Sequence, residues 1–419
     1  MSSENPDGRR PDVVIIMTDE ERAAPVYEPA ELRRWRERTL ISWRWWHDHA
    51  VNFGRHYTGS LACVPSRPTL FTGQYPDVHG VTQTDGLGKM ADDSRMRWLP
   101  SDEVPTLGHW FRAAGYDTHY DGKWHISHAD LRDPATGETL ATNDDDGVVD
   151  HDAVRTYLDA DRLDPWGFSG WVGPEPHGGL LANAGARRDE LIADRVVTWL
   201  RDRAARRAAG DRGALRPFLL VASFVNAHDI VLFPMWQRTG WPIEADAERD
   251  PPDVPPAPTA DEDLASKPAV HTVYRDGYPS AYGYADPVRA IYDEGQQDER
   301  NLYLRLHAEV DGPLDRVRRA VTGDDDGPAV STDAVLVRTT DHGELLGAHG
   351  GMHQKWYQLY EESVRIPFAI ARIGDAATTG AQVVDMPTSH VDLIPTLLDV
   401  AGLDARELAD TLRSPHSEV

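Results

Sequence analysis

Cys63 is the single cysteine of this 419-residue chain, and it stands in the run Leu61-Ala62-Cys63-Val64-Pro65-Ser66-Arg67-Pro68-Thr69-Leu70-Phe71-Thr72-Gly73. A lone cysteine is ordinarily a small buried hydrophobe, but these neighbours suit chemistry. Residues 66–72 are predicted to start a helix immediately after Cys63, aiming backbone N–H groups and a positive dipole end at an anion held there. Arg67, one turn on, adds a guanidinium that balances negative charge at the same point. Ionisable groups also close three apolar runs: Asp19-Glu20 after residues 12–18, His228-Asp229 shortly after residues 217–225, and Asp341-His342 after residues 334–340. Asp19, Glu20, Asp341 and His342 form a candidate metal set, and a divalent ion there would polarise an ester oxygen and lower the pKa of an attacking hydroxyl. Oxygen-rich ligation favours calcium, with manganese as the alternative because His342 supplies imidazole.

Lysine occurs only at positions 89, 123, 267 and 355, and every other basic side chain is arginine. Lys123 lies in Gly122-Lys123-Trp124-His125 and Lys355 in His353-Gln354-Lys355. A compact ammonium with rotatable donors suits the oxygens of a tetrahedral anion, where a planar guanidinium fits less well. His125 and His228 are the natural proton carriers, since imidazole takes and gives protons near neutral pH.

These residues need elements to position them. Residues 12–18 (DVVIIMT), 217–225 (PFLLVASFV) and 334–340 (AVLVRTT) are short continuous apolar runs, the pattern of strands buried on both faces of a parallel sheet. Ligands of open α/β sheets sit outside the carboxyl ends of the strands, so three strands ending in ionisable groups are expected to converge on one site. Apolar stripes at helical spacing predict helices over 188–208 and 302–321. Shorter patterns predict a helix over 106–114, a strand over 116–120 and a helix over 390–401 that Pro395 kinks. Residues 31–49 mix arginine with Trp35, Trp43, Trp45 and Trp46, and read as a helix packed over the sheet with solvated arginines. Residues 244–267 read as an extended surface connection or a linker. The acidic triplets 144–146 and 324–326 read as solvated turns, because Thr142 and Thr322 stand where a calcium loop needs its first ligand.

Composition sets the bounds. The apolar fraction of 40% with 13 Trp is enough for a sizeable core, while a net charge of −26 repels nucleic acid and anionic membranes. Residues 1–11 lack the apolar core of a secretory signal and no run reaches the length of a membrane span, so the expected location is cytoplasmic. The single cysteine agrees with a reducing compartment.

Cys63-x-Pro65-Ser66-Arg67, followed by two apolar residues and Thr72-Gly73, resembles the signature of type I sulfatases in the alkaline-phosphatase superfamily. The run from Asp341-His342-Gly343-Glu344 to His349-Gly350 resembles the second sulfatase signature, and Met17-Thr18-Asp19-Glu20 the first metal segment, where the family more usually has two aspartates. Gln74-Tyr75-Pro76, Pro165-Trp166-Gly167-Phe168 and Arg365-Ile366-Pro367 extend the resemblance from Val13 to about Gly402. It implies an α/β fold with a large, mostly parallel central sheet covered by helices on both faces. It further implies a polar tail over 1–10, a catalytic domain over 11–402 and a C-terminal remnant over 403–419. The small C-terminal sheet subdomain of the family is expected to be short or missing.

The resemblance implies hydrolysis of a small-molecule sulfate ester. A dedicated formylglycine-generating enzyme oxidises the cysteine, and one hydroxyl of the hydrated aldehyde attacks sulfur while the other later collapses to release sulfate. Cys63 would be that precursor, with Arg67, Lys123, His125, His228 and Lys355 completing the site. By resemblance His228 protonates the leaving group and His125 is the base for aldehyde regeneration. Asp229, His353 and Tyr357 are weaker candidates for supporting contacts. Two alternatives stand beside this reading: a phosphonate monoester or phosphodiester hydrolase of the same superfamily, and a non-catalytic anion-binding protein in which Cys63 stays a thiol.

Overall fold

The computed structural model describes residues 10–413 except 87–88, 178, 283–284, 325–326, 328, 375–377 and 379. Ten strands are present among them: β1 (Asp12–Asp19), β2 (Val51–Phe53), β3 (His56–Tyr57), β4 (Asp117–Gly122), β5 (Phe218–Ala227), β6 (Ala334–Thr340), β7 (Arg365–Ile366), β8 (Ala369–Ile373), β9 (Gln382–Val384) and β10 (Thr388–Ser389). Seven form a sheet in the order β4-β5-β1-β6-β8-β2-β9, and β10-β3-β7 form a small second sheet. The four strands β4, β5, β1 and β6 run parallel, whereas β8 is antiparallel to both β6 and β2.

The continuous apolar runs are explained by burial on both faces. Val13, Ile15 and Met17 face a core with Leu70, Phe71, Tyr120, Trp124 and Phe168. Val14 and Ile16 face the other side, among Ile192, Val196, Leu200, Leu314 and Val317. The first core is closed by the helices Cys63–Thr72, Leu107–Ala113 and Leu393–Val400, the second by Gly185–Ala208 and Ala285–Thr322.

Register brings the strand ends together. Thr18 lies opposite Thr340 in the β1–β6 pair, so Asp19 and Asp341 emerge side by side. Gly122 lies opposite Ser223 in the β4–β5 pair, so Lys123 leaves the sheet beside them. Gly122 adopts φ 98, and a Cβ on it would sit 1.9 Å from the Ser223 carbonyl oxygen. Only glycine lets β4 approach β5 this closely before the chain turns towards the site.

Several predicted elements need correction. The helix predicted over 302–321 is the second part of a longer one, Ala285–Thr322. Its first turns carry Val288 and Tyr292 among many polar residues, and this sparse stripe packs on a separate core with Phe233 and Trp236. Pro395 does not kink a helix: a 3-10 turn, His390–Asp392, leads into Leu393–Val400, and Pro395 falls in the first turn, where a missing N–H costs nothing. Residues 31–49 form two helices, Ala30–Thr39 and Ile41–His49, and Arg36 is not solvated but buried against Glu28 at 3.0 Å. The turn at 144–147 is closed by Asp144 Oδ1, which accepts the N–H groups of Asp146 and Val148. In the other triplet, residues 325 and 326 lie outside the described residues. No helix among the described residues is long and apolar enough to cross a membrane.

Candidate active site

The helix after β3 begins at Cys63 itself, three residues earlier than the sequence predicts. Ala62, at φ 72, turns the chain so that Cys63 opens the first turn. Ser66 Oγ donates to the Asp341 carbonyl oxygen at 2.6 Å and ties that turn to the end of β6. The buried Cys63 Sγ then lies 3.3 Å from His342 Nε2, 3.5 Å from Asp19 Oδ1 and 3.8 Å from Lys123 Nζ. Burial and the neighbouring Asp19 push the thiol pKa up, but Lys123 and His342 outweigh them and bring it down to about 6.

Arg67 is the electrostatic centre of the arrangement. Its Nε donates to Asp341 Oδ2 at 2.9 Å and its Nη2 to Asp19 Oδ2 at 3.0 Å, with all three side chains fully buried. The guanidinium also donates to Ser223 Oγ within β5 and to the Lys123 carbonyl oxygen just past β4, so it links the ends of β1, β4 and β6 to β5. Lys123 Nζ stands 2.7 Å from Asp19 Oδ2. Burial raises the Asp19 pKa, yet the neighbouring cations Lys123 and Arg67 hold its carboxyl well below the usual range.

The four predicted metal ligands are brought to one place but not into one ring. Asp19, Asp341, His342 and the Cys63 sulfur have donor atoms within 4.8 Å of one another, and Glu20 forms a second such group with Asp19 and His228. Glu20, at φ 62, turns its carboxylate towards Lys355 Nζ at 2.7 Å, while its N–H donates to Asp341 Oδ1. Its Oε2 is buried with no hydrogen-bond partner, and burial pushes its pKa well up. His342 Nδ1 lies 3.0 Å from the Gly343 carbonyl oxygen, which leaves Nε2 facing the carboxylates. Three acidic side chains, one with an orphaned oxygen, and an imidazole oriented by a carbonyl are the donor set that an oxygen-preferring divalent cation needs.

His125 and His228 both line the cavity of about 740 Å³ that opens over Cys63, as does Lys355. His125, at φ 53, is paired through Nε2 with Asp85 Oδ1 at 2.7 Å. Burial lowers its pKa, but Asp85 overrides burial and raises it to about 10. His228 is held well below the ordinary histidine value by burial and by Lys123. These directions, up at His125 and down at His228, are opposite to those that a base at 125 and an acid at 228 require.

Three residues here escaped the sequence reading. Asp85 fixes His125, and His177 lies 3.9 Å from the same Asp85 oxygen. Glu175 accepts the backbone N–H of Trp124 on one oxygen and of His125 on the other, both at 3.0 Å. All lie in loops without periodicity, so no pattern marks them; the Gly173-Pro174 step before Glu175 is the nearest signal. Of the weaker candidates, Asp229 caps the helix Gly185–Ala208 through the Ala186 N–H, His353 pairs with Glu299, and Tyr357 is exposed.

The sulfatase family model matches residues 11–403. The uncharacterized sulfatase YidJ of Escherichia coli (strain K12) is 27% identical over 405 residues, 96% of this chain and 69% of the relative. The chain spans between 59% and 69% of the lengths of three such curated relatives. Among solved structures, a 2-O GAG sulfatase superposes with a TM-score of 0.61 at 19% identity, covering 97% of this chain and 75% of that one. The phosphonate monoester hydrolase of Agrobacterium radiobacter superposes with a TM-score of 0.57 at 21% identity, covering 94% and 74%.

Proposed function

Because the chain belongs to the sulfatase family, we propose that it hydrolyses a sulfate ester with a nucleophile made by oxidation of Cys63 to formylglycine. The observation that carries the proposal is the position of Cys63: first residue of a helix, side chain at the floor of the cavity, within 3.5 Å of Asp19 and His342. Lys355 lines the same cavity and Lys123 Nζ lies 3.8 Å from the Cys63 sulfur, so two ammonium groups are placed to neutralise the ester oxygens.

Asp19, Glu20, Asp341 and His342 would hold a divalent cation, calcium first and manganese second, and the bound cation would supply Lewis acidity and a lowered hydroxyl pKa. Formylglycine would supply a hydrated aldehyde with two hydroxyls on one carbon. The chain's own residues do the rest. Arg67 holds Asp19 and Asp341 in place, Lys123 and Lys355 orient the anion, Asp85 fixes the His125 ring, and Glu175 accepts the His125 backbone N–H. An anionic ester beside His228 raises the pKa of that imidazole, so binding itself prepares His228 to protonate the departing alkoxide.

The test is mass spectrometry of the peptide containing residue 63 after co-expression with a formylglycine-generating enzyme, followed by turnover of an aryl sulfate, a phosphodiester and a phosphonate monoester on one metal-loaded sample. Conversion of Cys63 with dominant sulfate-ester turnover is expected. Dominant phosphodiester or phosphonate turnover would assign the second activity, and an unmodified thiol without turnover an anion-binding role.

A further inference from the structure

Beside the oxygen-rich centre stands a second group of donors of different chemistry. Asp85, His125 and His177 present a carboxylate oxygen and two imidazole nitrogens within 4.8 Å of one another. Asp85 Oδ1 lies 2.7 Å from His125 Nε2 and 3.9 Å from His177 Nε2, and the two rings stand 4.6 Å apart between centroids. Asp85 and His125 are buried, and all three line the open cavity. His177 Nδ1 is buried without a hydrogen-bond partner, so nothing in the protein holds that imidazole to one tautomer. Gly86 leaves room beside His177, since a Cβ there would come within 3.4 Å of Nε2.

We propose that Asp85, His125 and His177 form a second metal site, selective for a borderline ion such as Zn²⁺, whose occupation inhibits the enzyme. Two histidines and one carboxylate are a ligand set that zinc accepts with its fourth position open, here towards the cavity. Calcium, which prefers six to eight oxygen ligands, gains little from two imidazoles. Zinc bonds of about 2.0–2.2 Å set three donors roughly 3.5 Å from one another, so Asp85 and His125 open from 2.7 Å while His177 closes on Asp85 from 3.9 Å. His177 sits in a loop and is a quarter exposed, so it can make that movement. The ion replaces the proton that His125 and Asp85 share, and that proton is released to solvent. Inhibition follows from the proposed function: a metal-bound His125 no longer presents a free imidazole to residue 63.

Zinc uptake is measured by equilibrium dialysis and elemental analysis on the full-length Cys63→Ser protein in excess calcium, which removes the competing thiolate and fills the oxygen-rich centre. One equivalent of zinc is expected, weakened about tenfold or more in His177→Ala and in Asp85→Asn, at least roughly 1.4 kcal/mol each. Cobalt in place of zinc should give visible d–d absorption that both substitutions abolish. Because these measurements read bound metal and not turnover, they stand whether or not the sulfate-ester reading holds. Absence of zinc uptake, or uptake equal in all three proteins, overturns the site. In the matured enzyme, zinc should inhibit turnover and His177→Ala should relieve it; inhibition unchanged by that substitution overturns the inhibitory role.

Discussion

One carboxylate oxygen of Glu175 accepts the backbone N–H of His125 at 3.0 Å, and so fixes a residue that stands at φ 53. A non-glycine residue in the left-handed region costs about 1–3 kcal/mol and persists only where its surroundings over-determine it. Ala62 and Gln354, which line the same cavity, and Glu20 also have positive φ.

Glu175→Gln keeps the size of the side chain but turns one acceptor into a donor that faces an N–H. Loss of about 1–3 kcal/mol of stability is expected from the unsatisfied amide. A fall in kcat of about tenfold to hundredfold with little change in KM should accompany it, because His125 moves while Lys123 and Lys355 do not. Steady-state kinetics beside thermal unfolding would show it, and an unchanged kcat would remove Glu175 from this role.

Arg67 neutralises two buried carboxylates at once. In Arg67→Met neither Asp19 nor Asp341 keeps that partner, at an expected cost of about 3–5 kcal/mol. Excess calcium should recover more of the Tm in this variant than in the parent, since the cation takes up the charge that arginine held. Calorimetry with and without calcium decides; equal gains in both proteins would argue against a cation between these carboxylates.

Gly122→Ala should lower stability by more than about 3 kcal/mol, because the new Cβ meets the Ser223 carbonyl oxygen at 1.9 Å in a backbone with φ 98. Turnover should fall with it, since Lys123 is the next residue and its N–H donates to that same carbonyl. Denaturant titration gives the first quantity, and a midpoint like the parent's would contradict the register of β4 on β5.

Several histidines outside the site are buried and neutral. Burial holds His119 down to about 4 and His307 to about 3. Their folded pKa values lie below the unfolded value, so their contribution is complete above about pH 6.5 and is lost as pH falls, at about 1.4 kcal/mol per pH unit for each group. Asp311, raised to about 6 by burial, acts in the opposite sense between its unfolded value and pH 6. The informative quantity is therefore a difference between proteins. His307→Phe, which also removes an Nε2 without a partner, should flatten the decline in urea midpoint from pH 6.5 to 4, and a parallel curve would count against a neutral His307.

Removal of the cation should lower Tm and abolish turnover, and calcium should restore both. At a calcium concentration a hundredfold above its Kd the expected stabilisation is about 2.7 kcal/mol. Titration of chelator-treated protein, followed by Tm, measures this, with manganese as the comparison ion. A Tm insensitive to either ion would count against the proposed donor set.

Much of the site is legible before any coordinates. Three of the four parallel strands announce themselves as continuous apolar runs, and Asp19, His228 and Asp341 stand at their carboxyl ends. Cys63 and Arg67 are marked by a spaced local motif, and Lys123 and Lys355 by their rarity in an arginine-rich chain. Such features are local: burial period, turn position and residue type are written over a few consecutive residues. The pairing of Glu20 with Lys355 instead of with Asp341 and His342, the start of the helix at Cys63, and the whole of Asp85, Glu175 and His177 belong to the tertiary structure. The physical reason is that a carboxylate in an irregular loop takes its role from the N–H or imidazole it meets, and that meeting is set by strand register and loop path across dozens of residues, which no short-range pattern encodes.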